Sequence, residues 1–147
     1  MSQGHATSGL GAAKTASGHP LRILVVDDNV DAATSLGRLL NLSGYEVRVV
    51  EDGSAALTEF ERFQPRVVLL DLGMPGMDGI ETASRIRQLS GGRGASLIAV
   101  TGWGHDEDRR RTHEAGFEAH LVKPLKIRQL EGILARIVES DAAAGAS

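Results

Sequence analysis

The sequence predicts an α/β protein in which strand and helix alternate five times over residues 21–140, giving a doubly wound, five-stranded parallel sheet with helices on both faces. Three observations lead there. Short, mostly apolar runs recur at Ile23–Val26, Val47–Val50, Val67–Leu70, Leu97–Val100 and Leu121–Val122. The central runs are apolar at consecutive positions, as strands buried on both faces require. Helical periodicity lies between runs, and parallel neighbours need such crossovers, which are right-handed and so place helices on both faces. Glycines at 44, 53, 79, 91–92 and 116 then mark the junctions where stops and turns belong.

Each element has a local reason. After the first strand, Val30, Ala33, Leu36, Leu39 and Leu40 form an i, i+3, i+4 stripe, and Gly44 follows the helix they define. The third strand ends at Asp71, and Met74–Gly79 reads as a turn with Asp78 capping the next helix. Gly91-Gly92-Arg93-Gly94 is a helix end and connecting loop. It lacks the G-x-x-x-x-G-K-[ST] spacing of a phosphate loop and precedes a strand instead of opening a helix. Asp106-Glu107-Asp108-Arg109-Arg110-Arg111 reads as a solvated helix face, its Asp106–Arg110 and Glu107–Arg111 pairs worth ~0.2–0.5 kcal/mol each. The last helix carries Ile127, Leu130, Ile133, Leu134, Ile137 and Val138 on one stripe. Residues 1–20 hold almost nothing to bury and read as a flexible tail, and 141–147 as a second, short one.

Composition narrows the function. A chain of 147 residues suits one domain, and the absence of cysteine excludes disulfides, thiolate zinc sites and cysteine nucleophiles. Apolar residues at 41% and charged residues at 24% are the profile of a soluble globular protein. A net charge of −3 and a pI near 5.9 argue against a nucleic-acid partner held by a basic surface. No apolar run is long enough to span a membrane, and the first residues lack the apolar centre of a secretory signal, so a cytoplasmic protein with no membrane partner is expected.

Sheets of this kind bind ligands beyond the carboxyl ends of their strands. There stand Asp27-Asp28 after strand one, Asp71 after strand three, Thr101 after strand four and Lys123-Pro124 after strand five. Three carboxylates packed together repel one another, and one would hold a proton unless a cation were present. Carboxylate oxygens with few nitrogens favour Mg2+, which keeps several waters and takes a phosphoryl oxygen as well. Lys123 and Thr101 offer that anion a positive charge and a hydrogen-bond donor, and Asp71 can be the nucleophile, since carboxylates form acyl phosphates. The set reads as a phosphoryl-transfer site that works by positioning and charge neutralisation. Singly, each residue has a plainer role: Asp27-Asp28 as helix caps shared with Asn29, Thr101 as a strand threonine, Lys123 as a surface lysine. Only their convergence on one edge carries the chemistry. His5, His19, His105 and His113 show no ligand spacing.

Residues 21–140 resemble the receiver domain of bacterial two-component response regulators, through RILVVDDN at 22–29, VVLLDLGMPGMDG at 67–79, IAVTGWG at 98–104 and AHLVKP at 119–124. The resemblance implies a flavodoxin-like receiver fold with Asp71 as phosphoacceptor. It implies Asp28 and Asp71 as direct Mg2+ ligands, Asp27 as a ligand through water, and the backbone carbonyl of Gly73 as the remaining protein ligand. Thr101 matches the switch hydroxyl that moves toward the phosphoryl group, Lys123 the lysine that pairs with that group, and Gly102 the small residue that leaves it room. The Lys123-Pro124 bond corresponds to one that is cis in the family. Two positions depart from the common pattern. His120 stands where many receivers carry Tyr or Phe, the aromatic that swaps rotamers with the threonine. Trp103 is bulky and flanks the site, where it is expected to limit attack by water and help set the phosphoryl lifetime.

The implied function is a phosphorylation-dependent switch, with no enzymatic role beyond its own phosphorylation and dephosphorylation. Its phosphoryl donor would be a histidine kinase or a histidine phosphotransfer protein, and its target a downstream protein met by the helix 4, strand 5, helix 5 face. Because nothing follows Ser147, a stand-alone regulator is expected; the alternative is a receiver fragment of a hybrid histidine kinase, whose receivers the TGWG stretch is similar to. An aspartate-nucleophile phosphatase for small esters would need a second Asp where Gly73 stands, and a cap insertion. A degenerate, scaffold-only receiver is opposed by intact Asp27, Asp28, Asp71, Thr101 and Lys123, and a dinucleotide site by the lack of G-x-G-x-x-G.

Overall fold

The computed structural model describes residues 18–74, 78–102 and 106–146. Strand and helix alternate as β1 (Arg22–Val26), α1 (Val30–Leu42), β2 (Glu46–Val50), α2 (Gly53–Phe63), β3 (Val67–Asp71), α3 (Gly79–Gln88), β4 (Ser96–Thr101), α4 (Asp106–Glu114), β5 (Ala119–Val122) and α5 (Ile127–Ala146). All strand pairs are parallel, in the order β2-β1-β3-β4-β5. The predicted α/β class and five-stranded parallel sheet are therefore present.

The alternation of side chains along each strand divides the core. Ile23, Val25, Val67, Leu69 and Ile98 face α1 and α5, packing with Leu40, Leu130, Leu134 and Ile137. Leu24, Val26, Val68, Leu70, Leu97 and Ala99 face α2 and α3, packing with Phe60, Ala83 and Ile86. This is why β1, β3 and β4 read as unbroken apolar runs: successive residues enter opposite layers, and both layers are buried. The edge strands β2 and β5 are only partly buried.

Local chemistry fixes the helix starts. Asn29 Oδ1 accepts from Ala32 N–H at 3.1 Å, Asp52 Oδ1 from Ala55 N–H at 2.7 Å, and Asp78 Oδ1 from Ile80 and Glu81 N–H. The cap of α1 is thus Asn29, which leaves the Asp27 and Asp28 side chains for other work.

Two expectations need correction. The inner face of α1 is Ala33, Gly37 and Leu40, whereas Val30 is 41% and Leu39 51% exposed. Gly37 lets α1 approach β2 closely: a Cβ there would stand 3.4 Å from Val47 Cγ1, so this line meets the sheet and rotates Val30 and Leu39 outward. At the other end, α5 continues through Ala146. Residues assigned to a C-terminal tail are helical because alanines favour the conformation and Asp141 receives a two-pronged bond from Arg66, Nε–Oδ2 2.7 Å and Nη2–Oδ1 2.8 Å. Trp103, His5, His105 and most of the N-terminal stretch read as a tail lie outside the described residues, as do the Asp106 and Glu107 side chains of the proposed helix-face pairs.

Candidate functional site

Between β1 and β3 the chain reverses its winding, since β2 lies to one side of β1 and β3 to the other. The crevice at such a reversal is where this architecture binds ligands. Register brings the acids together there: Val26 pairs with Leu70 and Asp71 with Val100, so residues 27 and 71 leave the sheet side by side.

Asp71 is 5% exposed. Its Oδ1 accepts from Gly73 N–H at 2.8 Å, and its Oδ2 from the Lys123 ammonium at 2.7 Å. The same ammonium lies 3.7 Å from Asp27 Oδ2, while Asp27 Oδ1 accepts from Asn29 N–H at 2.9 Å. Carboxylate oxygens of Asp27, Asp28 and Asp71 all lie within 4.8 Å of one another, a group found once among the described residues. Lys123 is carried by the turn after β5, where the Lys123-Pro124 bond is cis, as the resemblance implied.

The charges in this crevice do not balance. Burial holds the Asp27 carboxyl above its usual range and Asp71 adds repulsion, against the opposing pull of the Asn29 N–H and Lys123. For Lys123, burial works against the charge, but the hydrogen bond and attraction of Asp71, with help from Asp27 and Asp28, raise its pKa above the ordinary value. Three carboxylates against one ammonium leave two uncompensated negative charges, which one divalent cation matches. An all-oxygen donor set of this kind fits Mg2+. Glycine at 73 keeps the approach to Asp71 open: a Cβ there would lie 3.4 Å from Asp71 Oδ1. Gly102 is exposed, and a Cβ there would meet nothing within 4 Å.

Thr101 ends β4 and is 4% exposed. Its Oγ1 lies 3.0 Å from His120 Nε2 on the neighbouring strand. The other ring nitrogen, Nδ1, lies 3.2 Å from Thr112 Oγ1, and Thr112 donates its hydroxyl to the Arg109 carbonyl at 2.9 Å. The structure thus gathers Asp27, Asp28, Asp71, Gly73 and Lys123 in one crevice, and joins Thr101 to His120. Thr112 escaped the sequence reading. Its one signal is a hydroxyl inside a helix otherwise made of charged residues and a histidine, at the position that turns inward.

A family model described as the response regulator receiver domain matches residues 23–135. Among curated proteins, an uncharacterised 14.6 kDa protein of Leptolyngbya boryana is 38% identical over 103 residues, 70% of this chain and 79% of that protein. The sensory transduction protein RegX3 of Mycobacterium tuberculosis is 37% identical over 108 residues, 74% of this chain but 46% of its own length, so the chain spans about half of that relative. Among solved structures, a CheY-like receiver domain protein of Methanospirillum hungatei aligns with a TM-score of 0.76 at 28% identity, covering 84% of this chain and 97% of that one. The receiver domain of the sensor histidine kinase PA1611 of Pseudomonas aeruginosa, solved with magnesium coordinated in its active-site cleft, aligns with a TM-score of 0.72 at 34% identity, covering 81% of this chain and 98% of that one.

Proposed function

This chain belongs to the response regulator receiver domain family, and from that premise we propose that it is a phosphorylation-dependent switch whose phosphoacceptor is Asp71. The observation that carries the reading is a nearly buried carboxylate bonded to Lys123 with two further carboxylates beside it. The donor is a phosphohistidine of a histidine kinase or a phosphotransfer protein. An Asp71 carboxylate oxygen attacks phosphorus, the P–O bond forms as the P–N bond breaks, and the departing imidazole takes up a proton. Lys123 would follow the negative charge from the carboxylate to the phosphoryl oxygens, and the Thr101 hydroxyl would turn to donate to one of them. Asp28, Asp71, the Gly73 carbonyl and, through water, Asp27 would hold Mg2+, whose charge offsets that of the carboxylates and the incoming phosphoryl group. The ion in the PA1611 receiver supports this assignment.

The output is protein contact through α4, β5 and α5, on the edge of the sheet where His120 stands, in the cytoplasm where phosphohistidine donors work. Among the described residues no helix is long and apolar enough to cross a membrane. The likeness to a sensor kinase receiver favours a second reading of context, a receiver joined to a hybrid kinase. The mass of the native gene product on an immunoblot separates this from a stand-alone regulator. The chemical reading is tested by intact-protein mass after incubation with Mg2+ and acetyl phosphate. One phosphoryl group should appear, and should vanish without Mg2+ or in Asp71→Asn. No addition, together with no beryllofluoride binding, would refute it.

A further inference from the structure

We propose that Thr112 is a positioning residue for the switch: it fixes the tautomer of His120 that accepts the Thr101 hydroxyl, and so ties the resting place of Thr101 to helix α4. The inference rests on the phosphoacceptor reading above for its consequence, but on local proton accounting for its substance. Thr112 has one hydroxyl proton, and the Arg109 carbonyl, an acceptor only, takes it at 2.9 Å. The lone pairs of the same oxygen then face His120 Nδ1 at 3.2 Å, so Nδ1 carries the ring proton. A neutral imidazole has a single N–H, which leaves Nε2 as an acceptor, and the Thr101 hydroxyl donates to it at 3.0 Å. The relay runs one way, from Thr101 through the imidazole to Thr112 and into the backbone of α4. Both threonines are nearly sealed from solvent, at 4% and 3% exposure, so water does not readily replace a lost partner.

A phenylalanine at 120 would offer Thr101 no acceptor at all. In this chain the resting hydroxyl is committed, and turning it toward a phosphoryl group on Asp71 breaks the first bond of the relay. The break reaches α4 through Thr112, a path that rotamer exchange of an aromatic ring does not require. Thr112→Val keeps the shape and removes the acceptor for Nδ1–H. The ring then takes the Nε2–H form, which donates to Thr101 Oγ1 and no longer accepts the Thr101 proton.

The test is nitrogen NMR of 15N-histidine-labelled protein at about pH 8, above the ordinary histidine range, with His120 assigned by loss of its signals in His120→Asn. The wild type should carry the proton on Nδ1, Thr112→Val on Nε2, and Thr112→Ser on Nδ1 again. Beryllofluoride with Mg2+ should bind Thr112→Val roughly fivefold more tightly than wild type, the worth of one hydrogen bond, with Thr112→Ser returning to the wild-type value. A wild-type proton on Nε2 overturns the proposal, as does a folded Thr112→Val with unchanged tautomer and affinity. Should Thr112→Val fail to fold, the wild-type and Thr112→Ser tautomers decide. Failure of the phosphoacceptor reading shows separately, as absent beryllofluoride binding in the wild type, and leaves the tautomer measurement standing.

Discussion

Replacing Asp27 with asparagine should stabilise the metal-free protein and weaken the metal-bound one. The Asp27 side chain is 14% exposed, its Oδ2 is 3.7 Å from the Lys123 ammonium, and oxygens of Asp28 and Asp71 lie within 4.8 Å of it. At an effective dielectric near 20, attraction to Lys123 amounts to roughly 4–5 kcal/mol, and repulsion from buried Asp71, no farther away than 4.8 Å, to at least roughly 3–4 kcal/mol. Asp28 is exposed and solvent-screened, so it adds about 1 kcal/mol more repulsion. The charge terms nearly cancel, and burial of the Asp27 charge tips the balance against the fold. Asparagine keeps an oxygen for the Asn29 N–H and removes the charge. The expected gain in EDTA at neutral pH is about 1 kcal/mol, a rise in Tm of roughly 3 °C. Because the folded carboxyl is raised above 3.8, its ionisation cost is absent below 3.8 and grows as pH rises through that value toward the folded one. The advantage of the variant should therefore disappear on acidification below 3.8. With Mg2+ at a hundred times its Kd, the wild type gains about 2.7 kcal/mol, the variant less, and the order of stability reverses. Calorimetric melts in EDTA and in Mg2+ read both effects. A variant that melts below wild type in EDTA, or gains equally from Mg2+, refutes the reasoning.

Three further outcomes follow from the geometry. Phe60 is fully buried between α2 and the sheet, so Phe60→Ala should cost about 3–5 kcal/mol, read as a lower urea midpoint at unchanged slope. Asp141→Ala should speed amide exchange in the last turns of α5 while leaving its buried first turns protected, because the Arg66 pair anchors only that end; both partners are 31% exposed, so the loss in global stability should stay near 1 kcal/mol or below. Lys123 is raised above 10.5, so its pairing with Asp71 is fully present below 10.5 and lost as pH rises through the folded value. In EDTA, Lys123→Met should flatten that alkaline limb of the stability curve.

The fold was legible because the central strands obey one rule: a strand buried on both faces is apolar at consecutive positions, and the polar residue that ends the run marks where it leaves the sheet, while the edge strands keep a weaker version of the pattern around Arg48 and His120. Asp27, Asp71 and Lys123 stand at such exits, which is why strand ends and site residues were found together. What escaped depends on contacts between distant segments. The exposed face of α1 follows from how closely Gly37 lets the helix approach Val47, and the final turns of α5 from the reach of Arg66. Thr112 escaped because its partner, His120, lies on another strand, and a threonine among arginines carries no local mark of burial.

In the resting structure both groups that the proposed chemistry must free are already engaged. Asp71 is bonded to the Lys123 ammonium, and Thr101 faces the imidazole of His120. Phosphorylation on this reading exchanges partners and creates few bonds from nothing: Lys123 passes from carboxylate to phosphoryl oxygen, and Thr101 from imidazole nitrogen to phosphoryl oxygen. The first exchange replaces one charge-assisted bond with another and changes little. The second replaces a neutral bond with a charge-assisted one, roughly twice as strong. On the proposed reading the driving force for switching is therefore concentrated in Thr101, and His120 would set its size, because the better the resting acceptor, the smaller the gain on leaving it. A receiver with an imidazole at this position is held at rest more firmly than one with a ring that accepts nothing, and phosphorylation must supply the difference.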